Sequence, residues 1–452
     1  MPPTKRPNLL FVFADQWRRQ ALGHEGDPNV GTPRIDAFAE ESVRFANAVS
    51  GCPVCSPYRA SLMTGQYPLT HGMMVNDQSI RSGAVSFADA LNAVGYGTAY
   101  IGKWHIDGHG RSRFVPKERR LGFQRWLGYE CTHQYVDSPY YADSPEPKIW
   151  RGYDAEAQTA AAIHYLQERS RTAAPFALFL SWGPPHDPYD TAPERFRKMY
   201  SPENLQLRPN VPPEAADKAR RTLAGYYAHC SALDECFGRL LDEVRRLGLE
   251  DDTIVVFTSD HGDMHGSHGL WKKQWPHEES IGVPFLLRWP SALASTPRVL
   301  DQPFDAPDIM PTLLGLCGVQ PPGTVEGKDL SPLIRGEGEG DDDGALLACY
   351  FPFHELNYSK GGRDYRGIRT RRHSYVRSHE EPWFLFDNQA DPWQLRNLAA
   401  DPECEALRRE LDTALADLLR RRGDRFEPGQ DILRHYEVRL APTDHGDDVF
   451  YE

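Results

Sequence analysis

The sequence predicts an α/β protein with a mostly parallel central sheet flanked by helices, followed by a smaller C-terminal α+β part carrying a short antiparallel sheet. Three observations lead there. Short apolar runs alternate with helix-like stretches along most of the chain, the pattern of βαβ units. The runs are apolar throughout rather than alternating, as strands buried on both faces require. Polar residues with chemistry to offer cluster just after those runs, and α/β sheets bind ligands beyond the carboxyl ends of their strands.

In chain order, Met1 to Pro7 lacks the apolar stretch of a signal peptide, so the chain as written is expected in the cytoplasm. A trimmed signal would place it in the periplasm or outside the cell. Asn8–Ala14 reads as the first buried strand, and Ile35–Arg44 and Phe87–Val94 as helices. Gly97–Ile101 and Phe176–Leu180 are the next strands, separated by a helix over Ala155–Arg169. Leu223–Leu247 carries Leu233, Phe237, Leu240 and Leu241 at helical core spacing, and the strands Thr253–Thr258 and Val283–Arg288 follow. The acidic, glycine-rich stretch Gly338–Gly344 reads as an exposed linker. Beyond it, Gly367–Val376 and Trp383–Phe386 look like antiparallel strands and Glu403–Arg421 like a helix.

The 452 residues include 51 Lys and Arg against 64 Asp and Glu, a net charge of −13. That balance argues against nucleic acid as a partner. It still permits an anionic substrate, because a local cationic cluster can oppose the bulk sign. No apolar run is long enough to span a membrane, so no membrane partner is expected. The 8 cysteines are too sparse for a disulfide scaffold. Cys131, Cys230, Cys236, Cys317, Cys349 and Cys404 read as small buried apolar residues. Oligomeric state is left open.

The strand ends carry Asp15, Lys103 with His105, His186, and Asp260 with His261. Singly, each has an ordinary reading: an Asp caps a helix, a His satisfies a loop. Together they could converge on one site. Trp104 and Trp271 read as packing residues.

The segment Cys55-Ser-Pro-Tyr-Arg-Ala-Ser-Leu-Met-Thr-Gly65 resembles the C-x-P-x-R…T-G signature of the type I, formylglycine-dependent sulfatases of the alkaline phosphatase superfamily. Pro7 to Asp15 resembles the family's first strand and metal ligand, and Gly102-Lys-Trp-His105, Pro184-Pro-His-Asp-Pro188, Thr258-Ser-Asp-His-Gly262, Gly269-Leu-Trp-Lys-Lys273 and Glu278 to Pro284 are similar to its later blocks, in order. Leu385–Pro392 is a weaker echo.

The resemblance implies an alkaline phosphatase-like fold, with a catalytic domain over residues 1–340 and a subdomain over 341–452 that contributes to the substrate pocket. It implies oxidation of Cys55 to formylglycine by a formylglycine-generating enzyme, for which Pro57 and Arg59 form part of the recognition sequence. It implies one divalent metal held by Asp15, Gln16, the Cys55 derivative, Asp260 and His261. Ca2+ is the expected ion, with Mg2+ or Mn2+ as alternatives. Gln16 and His261 depart from the commoner Asp and Asn, and imidazole suits transition ions better than Ca2+. Arg59, Lys103, His105, His186 and Lys273 complete the implied catalytic set. Lys103 and Lys273 would neutralise sulfate, His186 or Lys273 would protonate the leaving alcohol, and His105 would be the base for sulfate release.

Asn76, His109, His265, His268 and His354 are the candidate substrate contacts. Together with Arg111, His133, Tyr135, Arg363 and Trp383 they would suit a sugar ring, favouring an oligosaccharide or small-molecule carbohydrate sulfate. Two rivals remain: a phosphonate monoester or phosphodiester hydrolase, and a non-catalytic sulfoglycan-binding relative. The former typically has Tyr and Thr where this chain has Lys103 and His105.

Overall fold

Strand β1 (Asn8–Asp15) is buried at every position because both of its faces are covered. Leu10, Val12 and Ala14 enter one core, while Leu9, Phe11 and Phe13 enter the other. The remaining strands of this half are β2 (Val43–Phe45), β3 (Gly97–Lys103), β4 (Arg125–Tyr129), β5 (Val136–Tyr140), β6 (Lys148–Tyr153), β7 (Phe176–Pro185), β8 (Thr253–Ser259), β9 (Phe285–Arg288) and β10 (Arg298–Leu300). The computed structural model describes residues 6–81, 83–293, 297–341, 343–442 and 448–451. Met1–Lys5 of the N-terminal segment and Asp342 of the acidic stretch lie outside the described residues.

Eight strands form the central sheet in the order β10-β2-β9-β8-β1-β7-β3-β4. All neighbours run parallel except β9, which is antiparallel to both β2 and β8. The long helix Ala216–Arg246 and the helix Asp154–Arg169 cover one face. The helix Ala306–Leu316 packs with Cys55–Thr64 on the other.

Two local expectations change. The helix starting at Pro33 stops at Ala39, and Val43–Phe45 is a strand rather than the end of a helix over Ile35–Arg44. Val43 and Phe45 are buried with Arg44 between them, an alternation that pairs with β9 and β10. The strand expected from Val283 starts at Phe285, because Pro284 has no N–H to give the ladder.

Past the acidic stretch, β11 (Ala345–Cys349), β12 (Tyr365–Arg369), β13 (His373–Arg377) and β14 (Pro382–Asp387) form an antiparallel sheet in that order. Leu346, Ile368, Tyr375 and Leu385 meet Leu411, Leu415 and Leu418 of the helix Glu405–Arg421. Leu347, Tyr365 and Val376 pack instead on Met264, Trp275 and Ile281, which follow β8. Among the described residues no helix is long and apolar enough to cross a membrane.

Candidate active site

The carboxyl ends of β1, β3, β7 and β8 meet the N-terminus of the helix Cys55–Thr64, and the site forms where they converge. Cys55 is the first residue of that helix and 1% exposed, at the end where backbone N–H groups favour negative charge. Gly102 sets the close approach at the end of β3. Its φ is +108°, and a Cβ there would stand 1.9 Å from the Ser181 carbonyl oxygen. Gly262 does the same after β8, where a Cβ would lie 2.0 Å from the Glu279 carbonyl oxygen. Gln16 and His105 hold positive φ of 69° and 59°, backbone strain placed next to the chemistry.

Arg59 organises the centre. Its Nε and Nη2 donate to Asp260 Oδ2 at 3.1 and 2.9 Å, and Nη2 also reaches Asp15 Oδ2 at 3.1 Å. Nη1 donates to the Lys103 carbonyl at 2.9 Å and Ser181 Oγ at 2.8 Å. Lys103 Nζ stands 2.6 Å from Asp15 Oδ2. Burial opposes ionisation of Asp15, yet Lys103, His186, Arg59 and Lys273 hold its carboxyl well below the usual range. Asp260 moves the other way, raised by burial and by the charge of Asp15. Two adjacent buried carboxylates make each other costlier to ionise, and a cation between them would lower that cost.

The donor set fits a divalent cation. Asp15, Cys55, Asp260 and His261 present ligand atoms all within 4.8 Å of one another. His261 Nδ1 lies 3.0 Å from the Gly262 carbonyl, so it carries the proton and leaves Nε2 as a lone-pair donor. That Nε2 is 3.6 Å from oxygens of both Asp15 and Asp260. Gln16 donates through Nε2 to Asp263 at 2.7 Å and Tyr189 at 3.2 Å, while its buried Oε1 has no hydrogen-bond partner. An orphaned carbonyl oxygen is what a hard cation would use.

On the other side of the sulfur, Cys55 Sγ is 2.9 Å from Lys273 Nζ, 3.2 Å from His261 Nε2 and 4.0 Å from Lys103 Nζ. Lys273 also lies 3.3 Å from His186 Nε2. Burial and Lys273 depress the His186 pKa. Lys272 is turned away to pair with Asp187. His105 Nε2 meets Asp77 Oδ1 at 3.0 Å, and Arg111 holds that carboxylate through Nε and Nη2 at 2.9 and 2.6 Å. Burial works to neutralise His105, but the Cys131 sulfur and Asp77 outweigh it and raise its pKa well above the ordinary value.

Cys55, Lys103, His105, His186, Asp187, Lys272 and Lys273 line a cavity of about 160 Å3 together with Asn76, Arg111, Cys131, His133, His354 and Glu355. Three proposed substrate residues are not there. His109 is half-exposed and turned to the Asp107 carbonyl. His265 is 1% exposed and packed 4.3 Å from the Tyr226 ring. His268 contacts Asn210 and lies tilted against the His277 ring, 4.5 Å between centroids. The backbone reverses through residues 264–270, carrying both histidines behind the site, so their H-x-x-H spacing has no common target. Tyr135 is buried against Gly183, and Arg363 pairs with Glu381. Neither these two nor Trp383 lines the cavity.

Sequence reading missed Asp77, Asp187 and Glu355, and it placed Cys131 in the core. Cys131 instead faces the cavity, with Sγ 3.9 Å from His133 Nε2. Asp187 stands in the Pro184–Pro188 block beside His186, and Cys131 lies two residues past β4, so both positions carried a signal; Asp77 and Glu355 lie in no quoted motif and directly follow no strand.

Hard-metal ligands at strand ends, facing a pocket lined with lysine and imidazole, equip a hydrolase for an anionic ester. The sulfatase family profile matches residues 7–319, and a profile described as N-sulphoglucosamine sulphohydrolase, C-terminal, matches residues 266–421. The chain is 46% identical to the ulvan-active sulfatase of Formosa agariphila, over 96% of this chain and 85% of that protein. It is 33% identical to the endo-4-O-sulfatase of Bacteroides thetaiotaomicron, over 92% of each. A structure solved in work on the metabolism of multiple glycosaminoglycans by Bacteroides thetaiotaomicron superposes with a TM-score of 0.85 at 30% identity, covering 96% of this chain and 99% of that one. The chain belongs to the sulfatase family, within the alkaline phosphatase superfamily, and is a sulfuric ester hydrolase.

Proposed function

We propose that the protein hydrolyses a sulfate monoester carried on a carbohydrate, using formylglycine made from Cys55 and one divalent cation, Ca2+. The observation that carries this is the position of Cys55 Sγ. It sits between the Asp15–Asp260–His261 cluster and the Lys273–His186 pair, where a nucleophilic oxygen would serve. The thiol sulfur stands in for the oxygen of the matured residue. The names of the two carbohydrate-directed relatives, and a pocket of hydroxyl-binding side chains, support a sugar as the alcohol.

Matured to formylglycine, Cys55 would supply a hydrated aldehyde whose hydroxyl serves as the nucleophile toward sulfur, and the cation would make that hydroxyl more acidic. Asp15, Gln16, Asp260 and His261 would hold the cation. Arg59 keeps both aspartates aligned. Lys103 and Lys273 neutralise the charge of the sulfate oxygens. His186 or Lys273, which lie 3.3 Å apart, would deliver a proton to the departing alcohol, and His105, oriented by Asp77, would take one as sulfate leaves. Phosphonate monoester hydrolases typically carry Tyr and Thr where this chain has Lys103 and His105, and that difference favours sulfate.

The reading has a direct test. Co-expression with a formylglycine-generating enzyme should lower the intact mass by roughly 18 Da, the exchange of SH and H for a carbonyl oxygen. The converted enzyme should turn over a sulfated monosaccharide faster than a phenyl phosphonate ester. No mass change would favour the non-catalytic rival, and faster phosphonate turnover would overturn the sulfate assignment.

Asp77 gives a pH prediction. Its hydrogen bond raises the His105 pKa, and a base must be neutral to act. Asp77→Asn should therefore move the acidic limb of the kcat profile to lower pH, with a smaller maximum. A limb that stays in place would remove His105 from the base role.

A further inference from the structure

Lys273 reaches the nucleophile position from a stretch of backbone that belongs to no strand or helix. Its neighbours on both sides hold left-handed φ, 62° at Lys272 and 73° at Gln274. Residues other than glycine keep such a conformation only where their surroundings enforce it. At Lys272 the N–H donates to Asp263 Oδ1 at 3.1 Å, and the carbonyl accepts from the Met264 N–H at 2.8 Å.

At Gln274 the constraint comes from three separate segments. The backbone N–H donates to the carbonyl of Pro53, two residues before Cys55, at 3.3 Å. The backbone carbonyl accepts from the hydroxyl of Tyr365, on β12, at 2.8 Å. The side chain is 1% exposed. Its Nε2 donates to the Phe353 carbonyl at 2.8 Å, and its Oε1 accepts from the Phe353 N–H at 3.3 Å. A carboxamide offers a donor and an acceptor side by side, so it pairs with both peptide groups of one residue as a neighbouring strand would. Phe353 directly precedes His354, which lines the sulfate pocket, whereas Gln274 itself does not line it.

We propose that Gln274 is the positioning residue for Lys273. Its clasp on Phe353 fixes the turn that brings the Lys273 ammonium to 2.9 Å from Cys55 Sγ and 3.3 Å from His186 Nε2. The same clasp ties this turn to the β11–β14 sheet, so the aim of a pocket lysine is set from the C-terminal part of the chain. The inference rests on the proposed reaction, in which Lys273 neutralises sulfate charge, and extends it. A lysine stem is flexible and holds no geometry of its own, so the placement of the ammonium depends on how its backbone is fixed. A displacement on the order of 1 Å is enough to cost about 100-fold in rate.

The test is a double-mutant cycle on the matured enzyme, with sulfate release followed on 4-nitrophenyl sulfate and on a sulfated monosaccharide, whichever the wild type turns over faster. Gln274→Met, close in length and without polar atoms, should lower kcat by roughly 10- to 100-fold and raise KM by less than about threefold. In a Lys273→Ala background the same change should cost less than about threefold, because the group it aims is already gone. Gln274→Gly, which adopts the left-handed turn freely but cannot clasp Phe353, should lose as much as Gln274→Met. Tyr365→Phe removes one hydroxyl outside the pocket and runs the same cycle should Gln274→Met fail to fold; its smaller loss should also vanish when Lys273 is absent. Intact mass and the thermal midpoint confirm that each variant carries formylglycine and is folded. Equal losses with and without Lys273, or a Gln274→Gly variant with the wild-type rate, would overturn the positioning role while leaving the proposed reaction standing. A Lys273→Ala variant that keeps the wild-type kcat would remove Lys273 from the proposed reaction, and the role of Gln274 with it.

Discussion

Cys55→Ala is expected to lower kcat on a sulfate ester by roughly 10^4- to 10^6-fold while leaving the fold in place. In the proposed reaction the nucleophilic oxygen comes from the Cys55 side chain, and among the described residues no other group occupies its place between the aspartates and Lys273. Lys103, Lys273 and His186 would still bind and polarise sulfate, but polarisation without an attacking oxygen leaves the S–O bond intact. The structural cost is small. Cys55 is 1% exposed, and removing one buried sulfur costs about 1 kcal/mol. Asp15, Gln16, Asp260 and His261 remain to hold the cation. The measurement is kcat together with the thermal unfolding midpoint in the presence and absence of Ca2+. A variant that keeps its rate within tenfold would remove Cys55 from the chemistry.

Arg59→Met should destabilise the protein by about 3–5 kcal/mol, the usual consequence of removing one partner from a buried charge cluster. Arg59 is 1% exposed and bridges two carboxylates that are themselves wholly buried. Burial opposes its charge, but Asp260 and Asp15 raise its pKa further above the ordinary guanidinium value. Methionine fills much of the volume and supplies neither charge nor the donors to Asp15, Asp260, Ser181 and the Lys103 carbonyl. Formylglycine conversion should fall as well, since Arg59 belongs to the recognition sequence implied by the family resemblance. Urea unfolding and intact mass read the two effects separately. A loss under about 1 kcal/mol would mean that the cation alone compensates the aspartates.

Legibility of the site follows the sheet. Asp15, Lys103, Asp260 and His261 could be read from sequence because they directly follow buried strands, and a parallel sheet brings strand ends together whatever the loops do. Cys55 and Arg59 could be read from their motif. His265 and His268 could not be placed, because a loop with positive φ at His265, Gly266 and His268 turns their side chains away from the strand end they follow. The helix expected over Ile35–Arg44 failed for a related reason: a three-residue strand is shorter than any period that could announce it.

The amino-acid order was thus sufficient for the α/β class and for naming Cys55, Asp15 and Asp260, which the fold brings into one cluster, since each depends on local pattern or motif. Net charge of −13 said little about the pocket, where Arg59, Lys103 and Lys273 gather. Tertiary packing alone decided which histidines face the cavity, that Cys131 lies in its wall, and that Asp77 reaches His105. It alone turned Trp271 from core to the wall of a second cavity. These contacts join residues far apart in the chain through loops, and no periodicity constrains where such loops cross.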